Sequence, residues 1–432
     1  MRFAVKFLGC KVSQADAMLA RRELLEAGHE EVPEAEAELH VINTCCITGE
    51  AEAKSRQSVR RSLKTARQVF VGGCAVNLRP AQFAEIDPGV KVFTGTAEDV
   101  ASMMARSQPH PQRATGACVD LEHDLPIRRS PGAAANTWSG TRTRGFVKVQ
   151  DGCDCHCAYC IIPTVRGSAR SRSASAVLKE VANRAAQDQR EIVMTGISVG
   201  DYRDPDRGLE LGELLVEAAR VPGVERVRIS SIEVIHVKSS LMEALREEPK
   251  VCPHLHVPLQ SGDDAVLTAM GRHYSAEEYF ATIRRLRAEV PRINVTTDVI
   301  VGFPNEDAAA FQNTLDLIER AGISRVHTFS YSPRPGTAAE ELGDRVAPQE
   351  KKRRSQAMRG LSEVRSRHHR TAKLGQTVRV LVDKVAETQS SGYSADYTRC
   401  YLPPDVAAAG ELVDGTVQEL RADGMLVTAR AG

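Results

Sequence analysis

The stretch DGCDCHCAYC, residues 151–160, places four cysteines within eight residues. Read as Cys153-x3-Cys157-x2-Cys160, it is an iron–sulfur pattern that leaves Cys155 over; read as pairs, it would hold zinc or close disulfides. Three thiolates leave one iron of a 4Fe–4S cluster open, and an open iron binds a substrate and passes it an electron. A fourth ligand from Cys155 or His156 would instead make a zinc site, although the clean C-x2-C…C-x2-C spacing is missing. The loop follows an apolar run of strand length, GFVKVQ (145–150), and precedes Ile161-Ile162-Pro163.

Outward from that loop the alternation continues. EIVMTGI (191–197), RVRISSI (226–232), HLHVPL (254–259), NVTTDVIVGF (294–303) and RVHTFSYS (325–332) are further candidate strands, with helical stretches such as SASAVLKEVANRAAQ between them. Six βα units predict a full or partial (β/α) barrel, whose chemistry sits at the C-terminal strand ends. Polar residues there are candidates for cofactor contacts: Met194-Thr195-Gly196, then Ser230, Ser231 and Glu233, then Gln260, Ser261 and Gly262. Beyond the charged helical stretch 349–374, GQTVRVLVDK (375–384) switches to period-two alternation, and the short strands that follow predict a small β-barrel.

Before the loop, FAVKFLGC (3–10), LHVINTCC (39–46) and QVFVGGC (68–74) are strand-length runs separated by helical sequence, the pattern of an open parallel sheet. Cys10, Cys45 and Cys74 each close one of these strands, and in such a sheet the strand C-termini share one edge. Three thiolates at equivalent positions suit a second 4Fe–4S cluster with an open iron; the plain alternative is three small buried hydrophobes. The division expected is an N-terminal α/β domain at 1–110, a linker at 111–138 rich in Pro, Gly, Ala and Ser, a barrel domain at 139–370 and a β-barrel at 372–432.

With 57 Lys and Arg against 56 Asp and Glu, net charge +1, no global field announces nucleic acid, so any basic surface is local. MRFAVKFLGC lacks an apolar run of signal-peptide length and no stretch suits a bilayer span, which predicts a cytoplasmic protein. In a reducing compartment eleven cysteines are metal ligands or catalytic groups rather than disulfides. Residues 349–373 carry nine Lys and Arg (Lys351, Lys352, Arg353, Arg354, Arg359, Arg365, Arg367, Arg370, Lys373) against two acids. Such a stripe suits phosphate contacts. Arg142, Arg144, Lys148, Arg166, Arg170 and Arg172 flank the cysteine loop as possible RNA guides. Tyr393, Tyr397 and Tyr401 are candidates for base stacking or for core. His254 and His256 read as packing, and Cys118, Cys252 and Cys400 as structural.

The cysteine spacing after a barrel strand resembles that of radical S-adenosylmethionine (SAM) enzymes, and TRTRGFVKVQDGCDCHCAYCIIPTVRGSARSR resembles their methylthiotransferase family. LGCKVSQADA (8–17), VINTCCITGEAEAKSRQ (41–57), VGGCAVN (71–77), HVPLQSGDDAVLTAMGRHY (256–274) and TTDVIVGFPNED (296–307) agree in order and spacing. GQTVRVLVD…YTRCYLP (375–403) resembles the family's TRAM domain. The resemblance implies that Cys153, Cys157 and Cys160 hold the SAM-binding cluster and Cys10, Cys45 and Cys74 an auxiliary one. It places Thr195, Gly196, Ser230, Glu233 and Gln260 toward SAM, and makes Arg353, Arg354, Arg365 and Arg370 candidates for RNA contact. It further implies tRNA as partner, a flavodoxin-like or ferredoxin-like electron donor and a sulfur source. LGCKV with Gln14 is most similar to the branch acting on threonylcarbamoyladenosine beside the anticodon. The alternatives are isopentenyladenosine, a ribosomal-protein Asp, or a non-catalytic zinc-stabilised RNA-binding protein. Ser13 stands where the family usually has Asn, Asn305 where Gly is common, and Cys46 and Cys155 are additional.

Overall fold

Five parallel strands build the first part of the chain: β1 (Arg2–Phe7), β2 (Glu30–Glu31), β3 (Leu39–Thr44), β4 (Gln68–Gly73) and β5 (Val90–Val92), in the order β2-β1-β3-β4-β5. The computed structural model describes residues 1–107, 143–404 and 406–429. The expected linker, Cys118 and Arg142 lie outside the described residues. Two compact units result, the first holding the described residues up to 107 together with Thr164–Arg166. Helices Lys11–Glu26 and Gly49–Ser62 make the crossovers that parallel strands require. Phe3, Val5, Leu39, Val41 and Phe70 from the sheet pack on Leu24, Val100 and Met104 from helices.

The second unit opens with β6 (Arg144–Lys148) and a short antiparallel pair, β7 (Gln150–Asp151) with β8 (Arg170–Ser171). Then come β9 (Glu191–Thr195), β10 (Arg226–Ile229), β11 (His254–His256), β12 (Asn294–Val301) and β13 (Arg325–Ser330). The sheets β10-β9-β6 and β11-β12-β13 are parallel throughout, and the bridge Val227–Val251 joins them into one arc, a partial (β/α) barrel. Helix starts follow ordinary capping chemistry. The Asp307 side chain accepts from Ala310 N ahead of Ala308–Arg320, and Ser275 with Glu278 forms a capping box ahead of Ala276–Glu289.

Buried parallel strands usually read as continuous apolar runs. Here they alternate. Ile192, Met194, Val227, Ile229, Leu255, Val257, Val295 and Val299 join helix residues Leu214, Leu215, Ile283, Leu286 and Ile318 in one core. Each such side chain contributes about 1.5–3 kcal/mol by burial. Because strand side chains alternate faces, the residues between them (Glu191, Thr195, Arg226, Arg228, His254, His256, Thr296, Asp298) occupy the opposite, inner face. The barrel wall is therefore apolar outside, beneath its helices, and polar inside.

Strands β14 (Thr377–Lys384), β15 (Ser390–Ser394), β16 (Arg399–Leu402), β17 (Leu412–Leu420) and β18 (Met425–Ala429) close into a small barrel. Val380, Val382, Cys400, Leu402, Val417, Met425 and Val427 fill it, and closure removes every edge. It docks under the N-terminal strand ends of the larger barrel. There Arg226 donates to Tyr393 O, Arg228 to Ser394 O, and Asn294 Nδ2 to Asp396 O. The helix Pro348–Thr371 leads into it, its last turn pairing His369 with Asp396. Among the described residues no helix is long and apolar enough to cross a membrane.

Candidate active site

Residue Gln150, at the end of the first barrel strand, organises the cysteine loop. Its amide nitrogen donates to Asp151 O at 3.0 Å and Gly152 O at 2.8 Å, while its Oε1 accepts from Ser198 N beyond β9 at 2.8 Å. The loop's far side rests on Met270–Arg272: Ala158 N donates to Met270 O at 2.9 Å. Gly271 has φ +68°, and a Cβ there would meet His156 O at 3.1 Å. Left-handed backbone and close approach together require glycine. Cys153, Cys157 and Cys160 are all half-buried, and Cys155 N donates to Cys153 Sγ at 3.4 Å. Burial pushes the Cys153 thiol up, Cys160 to about 11 and Cys155 to about 12. A coordinated iron reverses that preference, because a metal-bound thiol is deprotonated outright.

The strand-end candidates surround this loop unevenly. Thr195 and Ser230 are buried, and their hydroxyls have no hydrogen-bond partner among the described residues. Gly196 packs tightly, a Cβ there meeting Gln150 O at 2.8 Å. Glu233 is held by Arg272, and Gln260 adopts φ +66° where its N and O bridge β12. Arg272 carried no signal in the sequence beyond its place in a motif. In the fold its Nη1 lies 3.4 Å from Cys157 Sγ, making it the residue that the sequence reading missed.

In the first unit, β1, β3 and β4 are neighbours, so Cys10, Cys45 and Cys74 follow adjacent strand ends. Gly9 has φ +114°, and a Cβ there would stand 2.7–2.8 Å from the Cβ and Sγ of Cys45, so the chain passes directly over that thiol. Ile47 N donates to Cys45 Sγ at 3.5 Å, and Cys10 Sγ is 3.7 Å from Ser13 Oγ. Burial, with the neighbouring Cys10 and Cys74, pushes Cys45 up to about 11. Cys74 goes the other way, to about 7, through a hydrogen bond from Cys46 and the guanidinium of Arg166, whose Nε donates to its sulfur at 3.1 Å. Arg166 is fixed by Asp16 at 2.8 Å. Among the described residues no three His, Cys, Asp or Glu groups converge on a single metal ion. A 4Fe–4S cluster asks for something else, each thiolate bonding its own iron.

The basic stripe divides. Arg354 and Arg370 are 5% exposed: Arg354 pairs with Glu306 and Glu350, and Arg370 donates to Ala422 O. Both belong to the protein's interior rather than to a phosphate-binding face, as does Lys351, which reaches Tyr331 O. Arg365 donates to Ile323 O, and Arg353, paired with Glu350, remains exposed beside Lys352, Arg359 and Arg367. The guide residues by the loop are also engaged: Lys148 with Asp151, Arg172 with Glu180, Arg144 with Tyr397 OH. Tyr393 and Tyr397 stack on each other at 4.9 Å, with Tyr397 5.1 Å from His254 and under Arg228 at 4.7 Å. They plug the junction of the two barrels instead of presenting faces to bases.

Residues 147–318 match the family described as the Radical SAM superfamily. Together with a three-cysteine loop at the C-terminal end of the first strand of a parallel partial barrel, this makes the chain a radical SAM enzyme, a class that holds a 4Fe–4S cluster and SAM. Residues 2–95 match the Uncharacterized protein family UPF0004. Over 91% of this chain and 90% of the relative, it is 34% identical to the threonylcarbamoyladenosine tRNA methylthiotransferase MtaB of Thermotoga maritima. It is 33% identical to the protein of that name from Bacillus subtilis, over 91% and 88%. It is also 33% identical, over 90% and 88%, to the tRNA-2-methylthio-N(6)-dimethylallyladenosine synthase of Koribacter versatilis. The radical SAM methyltransferase TsrM from Kitasatospora setae shares the fold, with TM-score 0.57 and 14% identity over 80% of this chain and 79% of that one. The chain belongs to the radical SAM methylthiotransferase family and is an enzyme of that kind.

Proposed function

We propose that this enzyme adds a methylthio group to carbon 2 of threonylcarbamoyladenosine at position 37 of tRNA, in the cytoplasm. Supporting the reading most is the pairing of two three-thiol sets in one chain: Cys153, Cys157 and Cys160 on the barrel loop, and Cys10, Cys45 and Cys74 at adjacent strand ends. The first set would hold the SAM-binding cluster and the second an auxiliary 4Fe–4S cluster. When bound, the first cluster would supply the electron for reductive cleavage of SAM, and the second would supply the sulfur. The chain's own part is positioning. Gln150 and Gly271 hold the cysteine loop from both sides, the Thr195 and Ser230 hydroxyls are available to a polar ligand, and Arg272 orients Glu233. In the second set Arg166 and Ile47 N–H donate to sulfur, which favours thiolate.

The substrate branch is supported by LGCKV with Gln14 and by the names of the first relatives. The dimethylallyladenosine-type relatives are equally similar, so that substrate is the second reading. The phosphate-contacting surface in this reading is the exposed side of the helix Pro348–Thr371: Lys352, Arg353, Arg359 and Arg367. A low-potential flavodoxin-like or ferredoxin-like donor and a sulfur source complete the reaction. Mass spectrometry of tRNA nucleosides from a deletion strain tests the reading. We expect loss of 2-methylthio-threonylcarbamoyladenosine with its unthiolated precursor accumulating, restored by the gene. Loss of the methylthiolated isopentenyladenosine instead selects the second reading.

A further inference from the structure

Residue Arg272 joins the cysteine loop to a strand-end carboxylate. Its side chain is only 3% exposed, yet Nη1 donates both to Cys157 Sγ at 3.4 Å and to Glu233 Oε1 at 3.0 Å. Nη2 lies 2.9 Å from Oε2 of the same carboxylate. Nε donates to the hydroxyl of Tyr274 at 3.2 Å, that hydroxyl donates on to Leu259 O at 2.9 Å, and the guanidinium lies over the Tyr274 ring at 5.1 Å. The backbone is pinned as well, since Arg272 N donates to Leu267 O and the preceding Met270 O accepts from Ala158 in the cysteine loop.

Both terminal nitrogens of the guanidinium face the Glu233 carboxylate, and for stability alone an apolar pair would serve as well. Beyond that pair, Nη1 also donates to the Cys157 sulfur, and spanning carboxylate and sulfur at once needs a planar fork that a lysine cannot reproduce. We propose that Arg272 is a positioning residue that polarises the Cys157 sulfur and holds Glu233 toward the polar end of SAM. The proposal rests on the reading of Cys153, Cys157 and Cys160 as cluster ligands. Hydrogen bonds to a ligand sulfur and nearby positive charge stabilise the reduced cluster and raise its potential. The negative charge of Glu233 acts in the opposite sense. Removing the two partners therefore moves the potential in opposite directions, which a packing role does not do.

The experiment is an anaerobic redox titration of the full-length reconstituted protein, followed by electron paramagnetic resonance on the signal that changes when SAM is added. In Arg272→Met the midpoint moves to a more negative value and SAM binding weakens by roughly tenfold, the low end of the effect of losing a partner of a metal ligand. Arg272→Lys recovers part of the potential, through charge, and little of the SAM affinity. In Glu233→Gln the midpoint moves to a more positive value. Parental midpoints in the iron-loaded variants overturn the proposal. Where Arg272→Met does not retain iron, a parental midpoint in Glu233→Gln overturns it alone. A wild-type chain that takes up no iron overturns the ligand reading beneath it.

Discussion

Replacing Glu191 by Gln tests how the small barrel is held. The Glu191 carboxylate is 1% exposed and receives Arg228 Nε at 2.9 Å and Arg226 Nη1 at 3.4 Å, side chains that are 2% and 5% exposed. Burial alone would push its pKa up, but the two guanidinium groups overcome that and hold it below the usual carboxylate range. Gln keeps the shape and one acceptor while removing the charge, leaving two guanidinium groups buried without a counter-ion. Breaking a buried pair in this way costs about 3–5 kcal/mol, with no solvent screening to discount it. At roughly 2–4 °C per kcal/mol for large domains, the melting temperature falls by on the order of 10 °C. Because Arg226 and Arg228 also donate to Tyr393 O and Ser394 O, the loss loosens the barrel's dock, and the segment 372–376 becomes protease-sensitive. Thermal circular dichroism with limited proteolysis reads both. The triple variant Glu191→Leu/Arg226→Met/Arg228→Met, an apolar replacement of the whole charge cluster, recovers most of the stability. A melting temperature within about 2 °C of wild type for Glu191→Gln refutes the reasoning, since even 1 kcal/mol shifts a domain of this size by that much.

Cysteine substitutions separate ligands from bystanders: Cys157→Ser loses the SAM-binding cluster, whereas Cys155→Ser retains its iron and visible absorbance, and the reverse pattern would exchange their roles. Lys352→Glu with Arg359→Glu weakens tRNA binding across sequences and flattens its salt dependence by about one unit of slope per contact, read by filter binding at several salt concentrations. Arg354→Gln destabilises the fold without that signature, because the residue pairs inside the protein with Glu306. Asp396→Asn reports on pH. Burial opposes its charge, but His369 and Lys373 hold the carboxylate well below the usual range. A depressed folded pKa contributes stability above the unfolded value of about 3.9 and loses it as pH falls through the folded one. The melting-temperature gap between wild type and Asp396→Asn therefore narrows as pH falls below about 4.

The six barrel strands were legible because each is a strand-length run with apolar residues at alternate positions between turn residues, and the closing β-barrel because period-two alternation resumes after a long charged helix. Strands β2, β5, β7 and β8 were not, being two or three residues long with no room for a period. The long helix Pro348–Thr371 misled for a definite reason. Its buried face runs Lys351, Arg354, Ser355, Met358 and Ser362 at spacings of three and four, the proper helical period carried almost wholly by polar residues. A composition count registers that face as surface. Burial of those charges depends on acceptors supplied far away in sequence: Tyr331 O for Lys351, Glu306 for Arg354. The cysteines of the two sets each follow a strand that was itself legible, so their places at the strand ends could be read directly. Arg272 touches a residue 115 positions away, and no local pattern announces such a contact.

The alternation along the barrel strands also explains why one scaffold serves two ends. Inner-face residues at the strand starts (Arg226, Arg228, His254, Asn294) meet the small barrel, and Glu191 offsets part of the charge of the two arginines there. At the strand ends the same inner face carries Thr195, Ser230 and, just beyond, Glu233, next to a loop of thiols. Among the described residues these two hydroxyls are buried without a hydrogen-bond partner. Charge pairing at the lower end is a stability demand, and the upper end, beside the cysteine loop, is the face where (β/α) barrels place their chemistry. A substitution at Glu191 should therefore act on melting temperature before it acts on SAM binding, and one at Ser230 in the opposite order.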